Sequence, residues 1–531
     1  MPKIKAVDLL LILILLLTSV FARFYRFGQL PASLNRDEAA LGYTAWSVLE
    51  TGRDEWGERW PLAPASFGDY KLIGYPTLLV GLFSILPKAD WVVRLPSLLA
   101  GVGLVAISWQ IGRRLFNHKF GVILAVLVAT SPVFIWFSRS AWEANVAVFY
   151  LITAGYLIYS ALNQRHYTWR LMLGFVLLFS SIFTYNTPLI LIPCLALILP
   201  LLVQSKQLKH SAIVTTVIFT LVGISFLLLS SVWSQKSGIT IFTDPTVRAE
   251  WLEFRTQLSE PWQSILGNRY SYLFGRVARN FVQSFSPEFV VFRGGAHPWH
   301  SLPGFGHIFT VVYLLATLES FVLIINLIRS TYQLFQAKIK LNTLLEQFHQ
   351  QYVWLYLLFV SLFPAVVTVD APHATRSLLF FWLLCVFAVR FLWRHKNRTS
   401  LISLMLILLV FNLGYYTFHY FLAYPKLSQL IFQSDFKQVL AQVESEFPVQ
   451  PVAIVDSGGY QYILLAWYLP VNPVDFLANN TRQLPDHIGL RYGEQVGRFH
   501  FIASPTDRAP AERVLVSWDE SVESWQVQQF P

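Results

Sequence analysis

Acidic residues are scarce in this chain, so the positions of the few that could do chemistry are informative. Asn35-Arg36-Asp37-Glu38 sets two carboxylates side by side shortly after the first apolar run. Adjacent carboxylates repel, which raises the proton affinity of one of them. That suits a base taking a proton from a hydroxyl. The same spacing suits a helix cap, with Asp37 standing ahead of Ala39-Ala40-Leu41. Glu143 follows Ser138-Arg139-Ser140-Ala141-Trp142. It could act as an acid or base, or form a plain i,i+4 ion pair with Arg139. In Asp370-Ala371-Pro372-His373-Ala374-Thr375-Arg376, one helical turn would point His373 and Arg376 the same way. The planar fork of Arg376 matches phosphate oxygens, although an arginine there could equally snorkel to a lipid headgroup. Lys71 closes Gly68-Asp69-Tyr70-Lys71. The stretches Ser286-Pro287-Glu288 and Arg293 to His300 put glycines and aromatics beside charge, which suits a sugar or headgroup, or an interfacial Trp anchor.

The elements that position these groups are apolar. Of 531 residues, 55% are hydrophobic and 13% charged, where a soluble domain carries about 25% charged residues. Mean hydropathy is +0.49. Crossing hydrocarbon takes about 20 apolar residues in a helix. Candidate spans are Val7–Tyr25, Pro96–Ile111, Phe120–Phe137, Trp142–Leu162, Leu171–Tyr185, Pro188–Val203, Ala212–Val232, Ile308–Ile328, Val353–Val369, Ser377–Trp393 and Leu401–Phe418. The first reads as an uncleaved span, because Ser19-Val20-Phe21-Ala22 is a poor cleavage site.

The formal net charge of +10 is topological and does not call for nucleic acid. Arg113, Arg114 and Lys119, then Arg165 and Arg170, Lys206 and Lys209, Arg329, Lys338 and Lys340, and Arg394, Lys396 and Arg398 lie in loops between apolar runs. Positive loops stay in the cytoplasm. They share the side of Lys3 and Lys5 only if the apolar stretch Leu72–Leu86 does not cross, so it reads as a juxtamembrane helix in the interface. The expectation is about 11 spans, N-terminus inside and C-terminus outside, in an inner or plasma membrane. Asp37, Glu38, Lys71, Glu143, His373 and Arg376 then all fall on the outer face. Cys194 and Cys385 sit in apolar runs and suggest neither a disulfide nor a metal site.

Two domains are expected. Residues 1–423 form a transmembrane domain with external loops 27–95 and 233–307, and residues 424–531 an extracytoplasmic α/β domain. In the tail, Val452–Val455, Phe499–Ala503 and Val514–Trp518 read as strands, and Phe436–Glu446 and Tyr460–Tyr468 as helices. A transporter or flippase would want charges at mid-membrane depth, whereas these cluster at one end of the spans. A non-catalytic assembly subunit of the cell envelope stays open.

The chain resembles the integral-membrane glycosyltransferases of the protein O-mannosyltransferase type, which have the GT-C fold and include the bacterial lipid A aminoarabinose transferases. The likeness rests on Arg36-Asp37-Glu38-Ala39, on Tyr70-Lys71, and on Val93-Arg94-Leu95-Pro96-Ser97. Gly112-Arg113-Arg114-Leu115-Phe116 and Ser138-Arg139 through Glu143 extend it. The resemblance implies a helical membrane bundle with a large first external loop, and a polyprenyl-phosphate-linked sugar as donor. It implies Asp37 as the catalytic acid, Glu38 as its partner, Glu143 at a position more often Asp, and Lys71 at the donor phosphate. Lys71 is followed here by Leu72, where relatives have Pro. Lys71, Arg376, His373 and Arg139 would meet the phosphate, and Asp37 would activate an acceptor hydroxyl on a lipid, glycan or protein. No cofactor is required, and a divalent metal near Asp37 and Glu38 is conceivable. The sugar, hexose or pentose, is left open.

Overall fold

A computed structural model describes residues 6–67, 69–162, 168–197, 221, 240–347, 351–485 and 491–531. The expected span Ala212–Val232, most of the end of Pro188–Val203, and the basic residues Arg165, Lys206 and Lys209 lie outside them. The described chain divides into two compact units.

The first unit, Met1–Ala22, Ala100–Phe137 and Ala144–Thr417, is helical. Among the described residues of the whole chain, six helices are long and apolar enough to cross a membrane, seven if one bent pair counts as a span. They are Ala6–Phe24, Asp90–Leu115, Glu143–Ala161, Thr310–Phe335, Thr375–Arg394 and Thr399–Ile431. The chain is thus a multi-pass membrane protein. The bent pair, His118–Thr130 and Pro132–Ser138, meets at 62°, where a single straight span was expected. The cause is local: a residue before proline is pushed out of the helical region, and Ser131 has ψ 128°. Trp169–Thr184, Thr187–Ala196 and Val353–Val366 are apolar but shorter.

Helix Leu378–Arg394 is buried nearly all round, as its unbroken apolar sequence requires. It packs along Thr310–Phe335. Glu319, fully buried in that helix, accepts from Arg394 Nη2 at 2.9 Å and faces Arg390 Nε at 3.4 Å. A carboxylate in an apolar helix needs such partners. On the outer side of the same helix Leu314, Leu318, Phe321, Ile325 and Ile328 are exposed at helical spacing, which makes a lipid-facing stripe.

The second unit is Arg23–Leu99, Ser138–Glu143 and Phe418–Pro531. Its centre is helix Arg36–Thr51, buried on every side from Glu38 to Val48. Helix Gly74–Phe83 packs on it; at 10 residues it is about 15 Å long, too short to span about 30 Å of hydrocarbon. A short hairpin, β1 (Ala65–Ser66) and β2 (Asp69–Tyr70), precedes it. The tail builds a six-stranded sheet from β3 (Val452–Val455), β4 (Asn480–Arg482), β5 (Gly493–Val496), β6 (Phe499–Ile502), β7 (Val514–Asp519) and β8 (Ser524–Gln529). The order is β4-β5-β6-β3-β7-β8, with β3 parallel to β6 and β7. Helices Phe436–Glu446, Gln461–Tyr468 and Pro473–Asn479 complete an α/β domain.

This tail packs against the segment from Leu34 to Asp90. Trp467 lies so close to helix Arg36–Thr51 that a Cβ on Gly42 would stand 2.9 Å from its ring. The Tyr468 hydroxyl accepts from Leu34 N at 2.8 Å, and Trp467 Nε1 donates to Asp90 at 2.9 Å.

Candidate functional site

The acid pair splits into two roles at the start of helix Arg36–Thr51. The cap is Asn35, and Glu38 closes a capping box by accepting from the Asn35 N–H at 3.1 Å. Asp37, read as a possible cap, is the second residue of the helix, with its carboxylate left for other partners. Glu38 is fully buried. Arg94 grips it with two donors, at 2.9 and 3.1 Å, and also donates to the carbonyls of Pro31 and Ser33. The Ala141 N–H adds a bond of 2.7 Å. One carboxylate therefore ties the helix start, the Arg94 helix and the segment before Glu143 together.

Asp37 forms an ion pair with Lys71, whose ammonium also lies 3.2 Å from Asp69. The two side chains keep 18% and 13% of their surface exposed, enough to meet a ligand while most of the pair is shielded. The hairpin places Lys71: its N–H donates to Pro64 at 2.9 Å, and Phe67 lies under the ammonium at 5.4 Å. Burial alone would pull the Lys71 pKa down. The carboxylates of Asp37, Asp69 and Glu143 outweigh burial and hold it above its ordinary value. Glu143 is thus close enough to Lys71 for its charge to be felt there, and it is itself buried. The guanidinium of Arg36 lies over Phe67 and Tyr460, at 5.5 and 4.9 Å.

Arg139 is fully buried and donates to the carbonyls of Arg23, Arg26 and Leu30 and to the Tyr420 hydroxyl, at 2.9 to 3.1 Å. Its visible work is to hold the turn after the first helix. Lys71 pairs with Asp37 and Arg94 with Glu38, so each carboxylate of the adjacent pair has a cation of its own.

The first unit holds the remaining expected residues in a histidine cluster. His297, His300 and His373 have ring centroids 4.8 to 5.2 Å apart. His373 Nδ1 is 2.9 Å from the Thr375 hydroxyl, and its Nε2 lies 3.5 Å from Asp370. Arg376 pairs with Asp370 and donates to Thr368 at 2.8 Å. Burial first, then the nearby Arg376, holds His373 well below its ordinary pKa, so its ring is neutral. His300 is held neutral by burial and by His297. His297, Asp370 and His373 offer three ligand atoms within 4.8 Å of one another, the candidate metal group among the described residues. Donors on a tetrahedral ion at about 2.1 Å sit about 3.4 Å apart, so the widest separation in the group would have to close by about 1.4 Å.

Two features escaped the sequence reading. Arg94 as the partner of Glu38 is 56 residues away, and no spacing rule reaches it. Glu319 had a signal, as a lone acid in an apolar run.

Residues 73–234 match the family model described as dolichyl-phosphate-mannose-protein mannosyltransferase, and over that segment the chain is similar to this family. The segment holds Arg94, Arg139 and Glu143; Asp37, Glu38 and Lys71 precede it. No curated protein matches the chain. Among solved structures, it is similar to an oligosaccharyltransferase of Archaeoglobus fulgidus in complex with Zn and sulfate. The identity is 10% and the TM-score 0.47, over 86% of this chain and 61% of that one. It is also similar to ArnT from Cupriavidus metallidurans bound to undecaprenyl phosphate, at 16% identity and TM-score 0.38, over 87% of this chain and 84% of that one. The chain spans about three fifths of the length of the oligosaccharyltransferase structures.

Proposed function

We propose that this protein is a glycosyltransferase that moves a sugar from a polyprenyl-phosphate-linked donor to an acceptor hydroxyl on the outer side of the membrane. The observation that carries the reading is the partly shielded Asp37–Lys71 pair, with Glu143 beside it, at the start of a helix locked by Glu38 and Arg94. The family model matched by residues 73–234 is named for a donor of this chemistry.

In the free protein Lys71 neutralises Asp37. An arriving donor phosphate competes for the ammonium and leaves Asp37 free to accept a proton. The acceptor oxygen attacks the anomeric carbon, the bond from that carbon to the phosphate oxygen breaks, and Asp37 takes the hydroxyl proton. Negative charge gathers on the departing phosphate in the transition state, where a fixed ammonium acts most strongly. Glu143 helps to keep Lys71 charged. Glu38 and Arg139 are positioning residues: one fixes the Asp37 helix, the other the turn before it. Within the first unit, Arg376 pairs with Asp370, which also lies 3.5 Å from His373 Nε2. The N-terminus is assigned to the cytoplasm and the tail to the outside.

The test is release of polyprenyl phosphate from labelled lipid-linked hexose and pentose donors by the purified full chain. The wild type should release it, Asp37→Asn should not, and equal release by both would end the assignment.

A further inference from the structure

Helix Arg269–Phe285 reverses the pattern that water selects. A helix on the surface of a soluble protein turns its apolar side inward and its polar side out. Here the buried residues are Asn280 and Ser284, while Tyr270, Phe274 and Val282 are 85, 76 and 67% exposed. With Ala278, also exposed, the apolar positions follow a four-residue spacing and form one stripe. Arg269, Arg276 and Gln283, seven residues apart, fall on the opposite side. We propose that this helix is a membrane-surface element: lipid covers the stripe where helix Thr310–Phe335 meets the bilayer, and Arg279 turns to the headgroups.

Two anchors set its depth. Asn280 Nδ2 donates to the carbonyls of Val366 and Thr368, at 2.8 and 3.2 Å, at the end of the apolar helix Val353–Val366. The end of a helix leaves carbonyls without an intrahelical donor, and this side chain serves two acceptors there. The Phe285 carbonyl accepts from the Tyr313 hydroxyl at 2.8 Å, and Tyr313 lies in the first turn of Thr310–Phe335. A helix that crosses hydrocarbon begins near its edge. The helix bearing the stripe is therefore tied to that edge at Asn280 and at Phe285.

The stripe continues onto a second apolar surface. Phe281 stacks on Phe359, with ring centres 5.2 Å apart. Phe274 stands two turns before Phe281 on the same face of the helix. Phe359 and Phe363 are exposed on Val353–Val366, which carries no charged residue. Lipid covers these rings and the stripe together, whereas a soluble partner would have to reach into the bilayer to do so. Charge agrees with this placement. Arg276 pairs with Glu250 at 2.6 Å, and Arg269 donates to the Phe242 carbonyl at 2.6 Å. Arg279 is exposed and has neither a hydrogen bond nor an ion pair among the described residues. At the bilayer edge its long side chain can extend to a lipid phosphate.

The test places nitroxides one at a time on the full chain, at Phe274→Cys, Val282→Cys and Arg279→Cys, in nanodiscs of mixed phosphatidylcholine and phosphatidylglycerol. Wild type treated with the same label gives the background from Cys194 and Cys385. Relaxation by oxygen, which concentrates in hydrocarbon, is compared with relaxation by a water-soluble nickel chelate. Oxygen should dominate at positions 274 and 282, and the balance should invert at 279. Dominance of nickel at 274 and 282 would mean that the stripe faces water, and it overturns the proposal. Weak relaxation by both agents there would mean that protein covers the stripe, and it overturns the proposal as well. Val282→Cys removes the smaller side chain, so it carries the test if Phe274→Cys fails to fold.

Discussion

The carboxylates around Lys71 and the histidines around Asp370 treat charge in opposite ways. Asp37, Asp69 and Glu143 surround one partly shielded ammonium and hold it protonated against its desolvation. His300 and His373 are packed so tightly, and so near Arg376, that their rings stay neutral. The first cluster can offer a positive charge and a proton acceptor together. The second can offer lone pairs, and one guanidinium already paired with Asp370. Residue type alone does not show this difference. On paper His373 and Lys71 are both bases near an outer face; burial and neighbours set them apart.

Four changes in the chain would break or sharpen that contrast. The largest effect is expected from Asp37→Asn, a loss on the order of a thousandfold in turnover with the fold intact. Melting curves that match the wild type would exclude simple misfolding. Lys71→Met comes next, at on the order of a hundredfold in kcat, as expected for removing one fixed charge from a developing phosphate. Wild-type turnover in Lys71→Met would mean that the ammonium serves only to fold the hairpin. Glu38→Ala should act on stability instead, because it strands the buried Arg94 and costs about 3–5 kcal/mol. A thermal shift too small to measure would show that the ion pair is not closed.

His373→Asn should change turnover less than about threefold, under ~0.7 kcal/mol. A loss as large as that of Lys71→Met would place a ring nitrogen on the donor and erase the contrast.

A pH series tests a third environment in the tail-bearing unit. Burial drives the Glu55 carboxyl up to about 8, with Asp54 adding to the rise and the Tyr462 hydrogen bond opposing it. The folded chain therefore binds this proton more tightly than the unfolded chain, whose value is near 4.5. The resulting stabilisation is complete below about pH 4.5 and is lost as pH rises through 8. Glu55→Gln keeps an acceptor for Tyr462, so its melting temperature should fall less between pH 5 and 8 than the wild type's. Parallel curves would rule out Glu55 as the group that holds the proton.

Much of the tail was legible because its strands alternate or run apolar, as in Val452–Val455 and Val514–Trp518. Strand β4 escaped because three polar residues, Asn480 to Arg482, carry no hydrophobic signal, and its pairing to β5 supplies what the sequence lacks. The helix after Asn35 was visible; its cap was placed two residues late, since Asn35 with Glu38 three residues on is the reciprocal capping pattern. About 11 spans were expected by counting apolar runs, and several of those runs fold as helices shorter than a bilayer or break at a proline, as at Pro132. Asp37 and Lys71 were singled out one by one. Their pairing across 34 residues depends on a hairpin whose strands are two residues each, and no periodicity could announce it.

The Glu38 carboxylate sets an order of events during biogenesis. Its three donors outside the capping box belong to two residues made later: Arg94 follows by 56 positions and Ala141 by 103. Until both have emerged, the acid has no dry place to go and must wait in water. The full set of bonds that seats the helix bearing Asp37 is therefore complete only once the chain has been made as far as Ala141.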